Sequence, residues 1–166
     1  MTLNTLNAIT PIDGRYYNKT NGYSNYFSEK ALIKYRVLIE IEYFLALTKT
    51  KIPVFKNFPQ KSIQNIKKIY LDFSQEDAIT VKEIEKETNH DVKAVEYFIK
   101  KKFKDLQLDK YLEYIHFGLT SQDINNTAVP LSIKDALSKV YLPELNELVD
   151  LLSEKVLEYN DISMLA

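Results

Sequence analysis

Apolar residues recur at helical spacing along most of this chain, and glycine, which interrupts helices, occurs only 3 times in 166 residues. The clearest example follows Ser28, a residue type that often caps the first turn of a helix. The segment from 28 to 48 is apolar over more than one stripe, which is typical of a helix buried on several sides. Its apolar residues include Leu32, Tyr35, Leu38, Ile39, Ile41, Leu45 and Leu47. The sequence therefore predicts an all-α protein.

Further helices are predicted on both sides of a domain boundary that we expect between residues 110 and 111. An N-terminal helical domain, 1–110, starts with an irregular arm up to about residue 25 and contains helices introduced by Ser74 and by Asn89. The remainder, 111–166, is expected to be the truncated beginning of a long central helical bundle. It is helix-prone after Thr120, with breaks or kinks expected at Pro130 and Pro143.

The last predicted helix carries an apolar stripe for which no earlier segment offers a full partner. The stripe consists of Leu142, Leu145, Leu148, Leu152 and Val156. Helices with an uncovered apolar face normally dock on other helices. The sequence also stops on apolar residues, Met164-Leu165-Ala166. We therefore expect either a piece of a longer protein or an obligate oligomer.

Composition excludes several classes of function. The net charge is -1, so no overall field attracts nucleic acid or an anionic membrane. Cysteine is absent, which excludes disulfides, thiolate metal sites and a cysteine nucleophile. Neither a signal peptide nor an apolar run long enough to cross a membrane is visible, so a cytoplasmic location is expected.

Two polar joints before predicted helices contain the only two histidines. His90 lies in Thr88-Asn89-His90-Asp91-Val92, and His116 begins His116-Phe117-Gly118-Leu119-Thr120-Ser121-Gln122-Asp123. The first turn of a helix has free N–H groups and a partial positive charge, both of which favour anions. Histidine titrates near neutral pH and suits proton transfer or anion contacts. The two joints predict a site for an anionic substrate.

Each candidate also has a purely structural interpretation. Arg15 and Tyr16, in Pro11-Ile12-Asp13-Gly14-Arg15-Tyr16, offer donors to phosphate or carboxylate, but the segment equally describes a surface turn. Asn89 or Asp91 could cap a helix, and His90 could be only a helix-terminal histidine bonded to the backbone. Thr120-Ser121 with Asp123 could form a simple cap. No nucleophile motif or metal-ligand spacing surrounds these residues, so neither a hydrolase triad nor a zinc site is expected.

The same segments, in this order, give the chain a resemblance to a known family. They are Pro11 to Tyr16, then Thr88-Asn89-His90-Asp91-Val92-Lys93-Ala94-Val95-Glu96-Tyr97, then Ile115-His116-Phe117 with Thr120-Ser121-Gln122-Asp123-Ile124-Asn125-Asn126. On these residues the chain resembles the N-terminal part of the adenylosuccinate lyases, in the fumarase/aspartase superfamily, and most of all their bacterial branch. The resemblance extends over essentially all 166 residues.

This resemblance implies a carbon–nitrogen lyase that needs no cofactor. Members of the family split adenylosuccinate into AMP and fumarate, and they also split the succinyl-carboxamide ribotide of purine synthesis. The reaction is an anti elimination, in which a base removes a proton beside a carboxylate and an acid protonates the departing nitrogen. The resemblance further implies a homotetramer whose active sites are each assembled from several subunits.

The resemblance also implies roles for individual residues. Arg15 and Tyr16 would hold the nucleotide phosphate. Asn89-His90-Asp91 would line the pocket near the succinyl end, and the general acid is expected at a histidine other than His90. Thr120-Ser121 would bind a succinyl carboxylate. His116 matches a histidine position near the site.

The family's general-acid histidine and its serine base are expected beyond Ala166, so this chain by itself is expected to be inactive. An alternative is a free-standing, non-catalytic helical module that binds nucleotide or partner helices. Another lyase of the superfamily, such as argininosuccinate lyase, is disfavoured by the sequences around His90 and Arg15.

Overall fold

A computed structural model describes residues 6–163 and 165 of the chain. These residues form helices and turns, with no strand among them, so the predicted all-α class is confirmed. Residues 1–5, 164 and 166, which include part of the predicted arm and of the apolar chain end, lie outside the described residues. Two compact units are present: one covers 24–132, and the other combines residues up to 23 with those from 133 onward. The domain boundary expected at 110 and 111 stays a prediction.

Four complete helices form the body of the unit 24–132. They are α1 (Glu29–Leu47), α2 (Ile63–Leu71), α3 (Gln75–Thr88) and α4 (Asp91–Asp105). A helical turn, Ser24–Phe27, precedes them, and 3₁₀ turns cover Pro53–Asn57, Gln60–Ser62 and Asp109–Tyr114. A fifth helix, α5 (Ser121–Ala136), begins in this unit. Helix α1 contacts α2, α3 and α4, which makes it the centre of the unit.

Local capping explains where two of these helices begin. The Ser28 hydroxyl accepts a hydrogen bond from the Ala31 N–H at 3.2 Å, as predicted. At the start of α3, the Ser74 hydroxyl accepts from the Asp77 N–H while the Asp77 carboxylate accepts from the Ser74 N–H, each at 3.1 Å. Such a reciprocal pair satisfies donors that the helix itself leaves free.

The core of the unit surrounds α1, which is buried on several sides as predicted. Phe44 lies at its centre and meets Phe55, Phe58 and Phe103 edge-on, with ring centroids 4.8 to 5.8 Å apart. The other fully buried aliphatic and aromatic side chains include Ile33, Val37, Ile41, Ile66, Val81, Val95, Phe98 and Ile99. This packing fixes α3 and α4 against α1, and with them the joint that contains His90.

The second unit contains short turns and one long helix. Residues Tyr17–Thr20 and Asn21–Tyr23 form single helical turns, so the arm is more regular than its sequence predicted. A π-helical turn, Leu137–Tyr141, leads into α6 (Leu142–Tyr159). The apolar stripe predicted on α6 is exposed, with relative accessibilities from 38% at Leu145 to 68% at Val156.

The sequence predicts a break or a kink at Pro130, and a break does not occur, since α5 continues through this proline to Ala136. The kink stays a prediction. Pro130 is exposed, whereas Ile124 and Ala128 on the same helix are fully buried. We attribute the unbroken helix to the burial of these two side chains, which offsets the loss of the one backbone hydrogen bond that proline cannot form. Pro143 lies in the first turn of α6, where proline is well tolerated. No helix in the described residues is long and apolar enough to cross a membrane.

Candidate active site

The joint between α3 and α4 is built by Asn89 and His90. Asn89 ends α3 in the left-handed conformation, with φ of 49°, which asparagine tolerates better than most residues. His90 is extended, and its Nδ1 accepts a hydrogen bond from the Lys93 N–H at 3.1 Å. The expectation that Asn89 or Asp91 caps α4 is therefore wrong, since His90 is the cap. Because Nδ1 is an acceptor here, a neutral ring carries its proton on Nε2.

The joint before α5 is closed by Asp123. Its Oδ2 accepts from the Thr120 N–H at 2.7 Å and from the Thr120 hydroxyl at 2.9 Å, so the predicted capping role of Asp123 is confirmed. These two hydrogen bonds lower the pKa of the Asp123 carboxyl, the backbone one most strongly. The Thr120 hydroxyl is thereby oriented, and Ser121 becomes the first residue of the helix.

The two joints meet in the unit 24–132. The Ser121 Oγ lies 3.5 Å from the His90 Nε2, at the outer limit of a hydrogen bond. An imidazole, a serine hydroxyl and two helix N-termini thus lie side by side. The arrangement suits a carboxylate or another small anion, because it combines hydrogen-bond donors with the positive ends of two helix dipoles.

An open cleft of about 570 Å³ adjoins His90. It is lined by Lys82, Glu85, Lys86, Asn89, His90 and Asp91. Lys82 is paired with Glu29 at 3.0 Å and with Glu85 at 2.6 Å. Within the described residues, no group of three or more His, Cys, Asp or Glu side chains is arranged to hold a metal ion.

Asp91 is held by a buried arginine that sequence reasoning missed. The Arg36 Nη2 lies 2.7 Å from the Asp91 Oδ2, and the Arg36 Nε donates to the Asn125 Oδ1 at 2.9 Å. Burial raises the pKa of the Asp91 carboxyl, but the Val92 N–H and the Arg36 guanidinium outweigh burial and bring this pKa below its ordinary value. The available signal was the position of Arg36, a cation inside the apolar segment of α1.

Glu40, one turn after Arg36, was also missed, and it pairs with His116. The Glu40 side chain is completely buried, and its Oε1 lies 2.5 Å from the His116 Nδ1. Its other oxygen, Oε2, has no hydrogen-bond partner among the residues that the structure describes. Burial raises the pKa of the Glu40 carboxyl, and the contact with His116 offsets this only in part.

The segment after His116 has an unusual backbone. His116 and Gly118 have φ values of 60° and 72°, so both adopt the left-handed region, and the conformational freedom predicted for Gly118 is used. The Tyr43 hydroxyl donates to the Phe117 carbonyl at 2.9 Å. Side chains of α1 therefore hold the segment that leads to Thr120.

Arg15 and Tyr16 belong to the other unit. Both are exposed, as predicted, and the Arg15 guanidinium lies 5.4 Å from the centre of the Tyr16 ring. The Tyr16 N–H donates to the Pro11 carbonyl at 2.8 Å, which closes the turn that presents them. Their predicted contact with a phosphate stays a prediction.

Comparison of the sequence with known proteins identifies the family of this chain. Residues 14–166 match the family model described as Lyase. The chain is 50% identical over 169 residues to an adenylosuccinate lyase of Dictyostelium discoideum, covering 99% of this chain and 36% of that protein. It is 44% identical to the enzyme of that name from Legionella pneumophila (strain Corby) and 40% identical to that of Escherichia coli (strain K12), covering all of this chain and 37% of each.

The chain thus spans little more than a third of the length of these curated relatives. The matched region includes all three polar segments, since it covers 99% to 100% of the chain. The resemblance to adenylosuccinate lyases found in the sequence is confirmed, and the chain belongs to the lyase family.

Proposed function

We propose that this chain forms a substrate-binding part of an adenylosuccinate lyase. The enzyme would eliminate fumarate from adenylosuccinate, giving AMP, and from the succinyl-carboxamide ribotide of purine biosynthesis. The observation that carries the proposal is the meeting of two helix N-termini at His90 and Ser121, with 3.5 Å between Nε2 and Oγ. Relatives named adenylosuccinate lyase at 40% to 50% identity support the choice of reaction.

The succinyl group is the natural ligand for this pair of helix starts. A dicarboxylate brings negative charge that the free N–H groups and dipoles of α4 and α5 stabilise. Thr120-Ser121 would bind one carboxylate, while Asn89 and His90 would line the pocket beside the bond that breaks. Asp91 would contribute mainly by fixing the start of α4, since its Oδ2 is paired with Arg36.

The phosphate of the nucleotide is assigned to Arg15 and Tyr16. Both side chains are exposed, and the guanidinium can donate two hydrogen bonds to phosphate oxygens while the phenol donates a third. The positive charge and the donors of this pair suit a phosphate better than they suit a neutral sugar or base.

The general acid and the base are proposed to come from residues beyond Ala166. The resemblance to the adenylosuccinate lyases supports this assignment, because it implies that the general-acid histidine and the serine base follow the matched segments, and the chain spans only 36% to 37% of the curated relatives. A homotetramer would bring the missing groups from other subunits. The 166 residues would then bind and orient substrate without turning it over.

The test is an assay of the polypeptide encoded by the whole reading frame beside the 166-residue chain. The whole polypeptide should release fumarate and AMP from adenylosuccinate in equal amounts, and the 166-residue chain should release neither. A folded whole polypeptide that leaves adenylosuccinate intact would overturn the proposed reaction. Turnover by the short chain alone would overturn the assignment of acid and base.

A further inference from the structure

A single buried guanidinium connects the two helix starts of the site. Arg36 is 6% exposed in the middle of α1, and it does not line the cleft beside His90. Its Nη2 contacts the Asp91 Oδ2 at 2.7 Å, and its Nε donates to the Asn125 Oδ1 at 2.9 Å. Asp91 is the first residue of α4, and Asn125 lies in the first two turns of α5.

The geometry of arginine makes this connection rigid. The guanidinium is planar, so contacts at two of its nitrogens fix both the distance and the angle between their partners. A buried cation must also be paired, because an unpaired one loses its hydration without compensation. A lysine could donate a hydrogen bond to Asp91 or to Asn125, but its ammonium group would not hold both side chains in one plane.

The two partners of Arg36 are close in sequence to the two residues that face each other in the site. His90 directly precedes Asp91, and Ser121 lies four residues, about one helical turn, before Asn125. A shift of α4 relative to the start of α5 would therefore change the distance between the His90 Nε2 and the Ser121 Oγ. We infer that Arg36 is a positioning residue that holds His90 against Ser121, an inference that rests on the proposed function only for its effect on catalysis.

The presence of only two histidines makes a direct test possible. Histidine-selective ¹⁵N labelling of the 166-residue chain should give two sets of ring signals, assigned by His90→Asn and His116→Gln. Arg36→Met removes both contacts while keeping an unbranched side chain of similar reach. We expect the His90 ring signals to shift more than those of His116, because only His90 adjoins the broken connection.

The matched control is Lys102→Met, which removes a paired cation from α4, whereas Arg36 lies on α1. Lys102 pairs with Asp77 at 2.7 Å, the same distance as in the Arg36–Asp91 pair, but it lies near the other end of the helix. It should leave both sets of ring signals unchanged. If Arg36→Met prevents folding, Asn125→Ala removes the Nε contact alone and should shift the His90 signals in the same direction. His90 signals that stay unchanged in a folded Arg36→Met or Asn125→Ala variant would overturn the inference.

Kinetics of the whole polypeptide supply the second readout. Arg36→Met should lower kcat for adenylosuccinate by about 10- to 100-fold, the scale expected when reacting groups are misplaced by about 1 Å. Arg36→Lys should recover part of that loss, and Lys102→Met should retain kcat even where its melting temperature falls. A loss of kcat no larger than that of Lys102→Met would overturn the inference. Should adenylosuccinate prove not to be the substrate, the histidine signals would still decide whether Arg36 positions His90.

Discussion

At the scale of single residues, the chain places two charges where apolar side chains would ordinarily pack. Arg36 and Glu40 lie one turn apart on α1, and both are almost fully buried. Each is paired with a group from a site joint, Arg36 with Asp91 and Glu40 with His116. Burying charge costs free energy even when it is paired, so we interpret both residues as serving the geometry of the site rather than stability.

Glu40 should make stability depend on pH in a defined direction. Burial raises its pKa above the ordinary value of 4.5, with the nearby Glu96 adding to the shift and His116 opposing it. The folded chain therefore binds this proton more tightly than the unfolded chain. The stability that Glu40 contributes is fully present below the unfolded pKa and is lost as pH rises through the folded pKa.

Glu40→Gln removes this titration, so wild type should lose stability relative to Glu40→Gln as pH rises from about 4 to about 8. Urea unfolding of both proteins across that range measures the difference. Glu113→Gln, at an exposed glutamate, is the control for loss of one carboxylate. A difference between wild type and Glu40→Gln that grows in favour of wild type with rising pH would contradict this account.

The site was predictable to the extent that it depends on local sequence. The pairing of Thr120 with Asp123 spans three residues and follows from a capping pattern. The contacts of Arg36 with Asn125 and of Glu40 with His116 span 89 and 76 positions, and no local pattern reports them. His90 was found as a candidate, and its alternative role at the helix start, bonded to the backbone, is the one that the structure shows. The sequence did not single it out over Asn89 and Asp91, because histidine is an uncommon capping residue.

At the scale of elements, the helix boundaries could be predicted where residues of the usual capping types, such as serine, begin the helix. The C-terminal end of α4 shows a different device. The Leu108 N–H donates to the Phe103 carbonyl at 2.8 Å, and the Gln107 N–H donates to the Lys104 carbonyl at 2.9 Å. This is the hydrogen-bond pattern of a Schellman motif, and it requires the left-handed conformation that Gln107 adopts, with φ of 59°. Because this position is not glycine, the motif could not be predicted from the sequence.

Gln107→Gly should stabilise the chain by about 1 kcal/mol, because glycine adopts positive φ without the steric cost that glutamine incurs. Thermal or urea unfolding against wild type measures the change. Gln107→Ala is the informative companion, since it shortens the side chain but keeps the β-carbon, and it should give little gain. Equal stability of the glycine and alanine variants would show that backbone conformation does not limit this helix end.

At the scale of the whole molecule, the exposed stripe of α6 is the main feature left without a covering element in the described residues. Five apolar residues at helical spacing are between 38% and 68% exposed, from Leu142 to Val156. A contiguous apolar surface of this kind is typical of an interaction site. We expect the 166-residue chain to associate with itself through this face.

Light scattering over a range of concentrations should therefore report species larger than a monomer. Leu148→Glu combined with Leu152→Glu should shift the population toward monomer, because charge on the stripe opposes its burial. Leu71→Glu, at an isolated exposed leucine of α2, is the control and should leave the association unchanged. A wild-type chain that stays monomeric at high concentration would contradict the expectation.

The central claim is that the starts of α4 and α5 form one site, and a double-mutant cycle between His90 and Ser121 tests it most directly. His90→Asn keeps a good helix cap but removes the ring nitrogen that faces Ser121, and Ser121→Ala removes the hydroxyl. The measured quantity is kcat/KM for adenylosuccinate in the whole polypeptide, with melting temperatures recorded on the same preparations. Residues that act together give non-additive losses, so we predict a coupling free energy of at least about 1 kcal/mol. Losses that add to within about 0.5 kcal/mol in folded variants would show that the two helix starts act independently and would contradict the account.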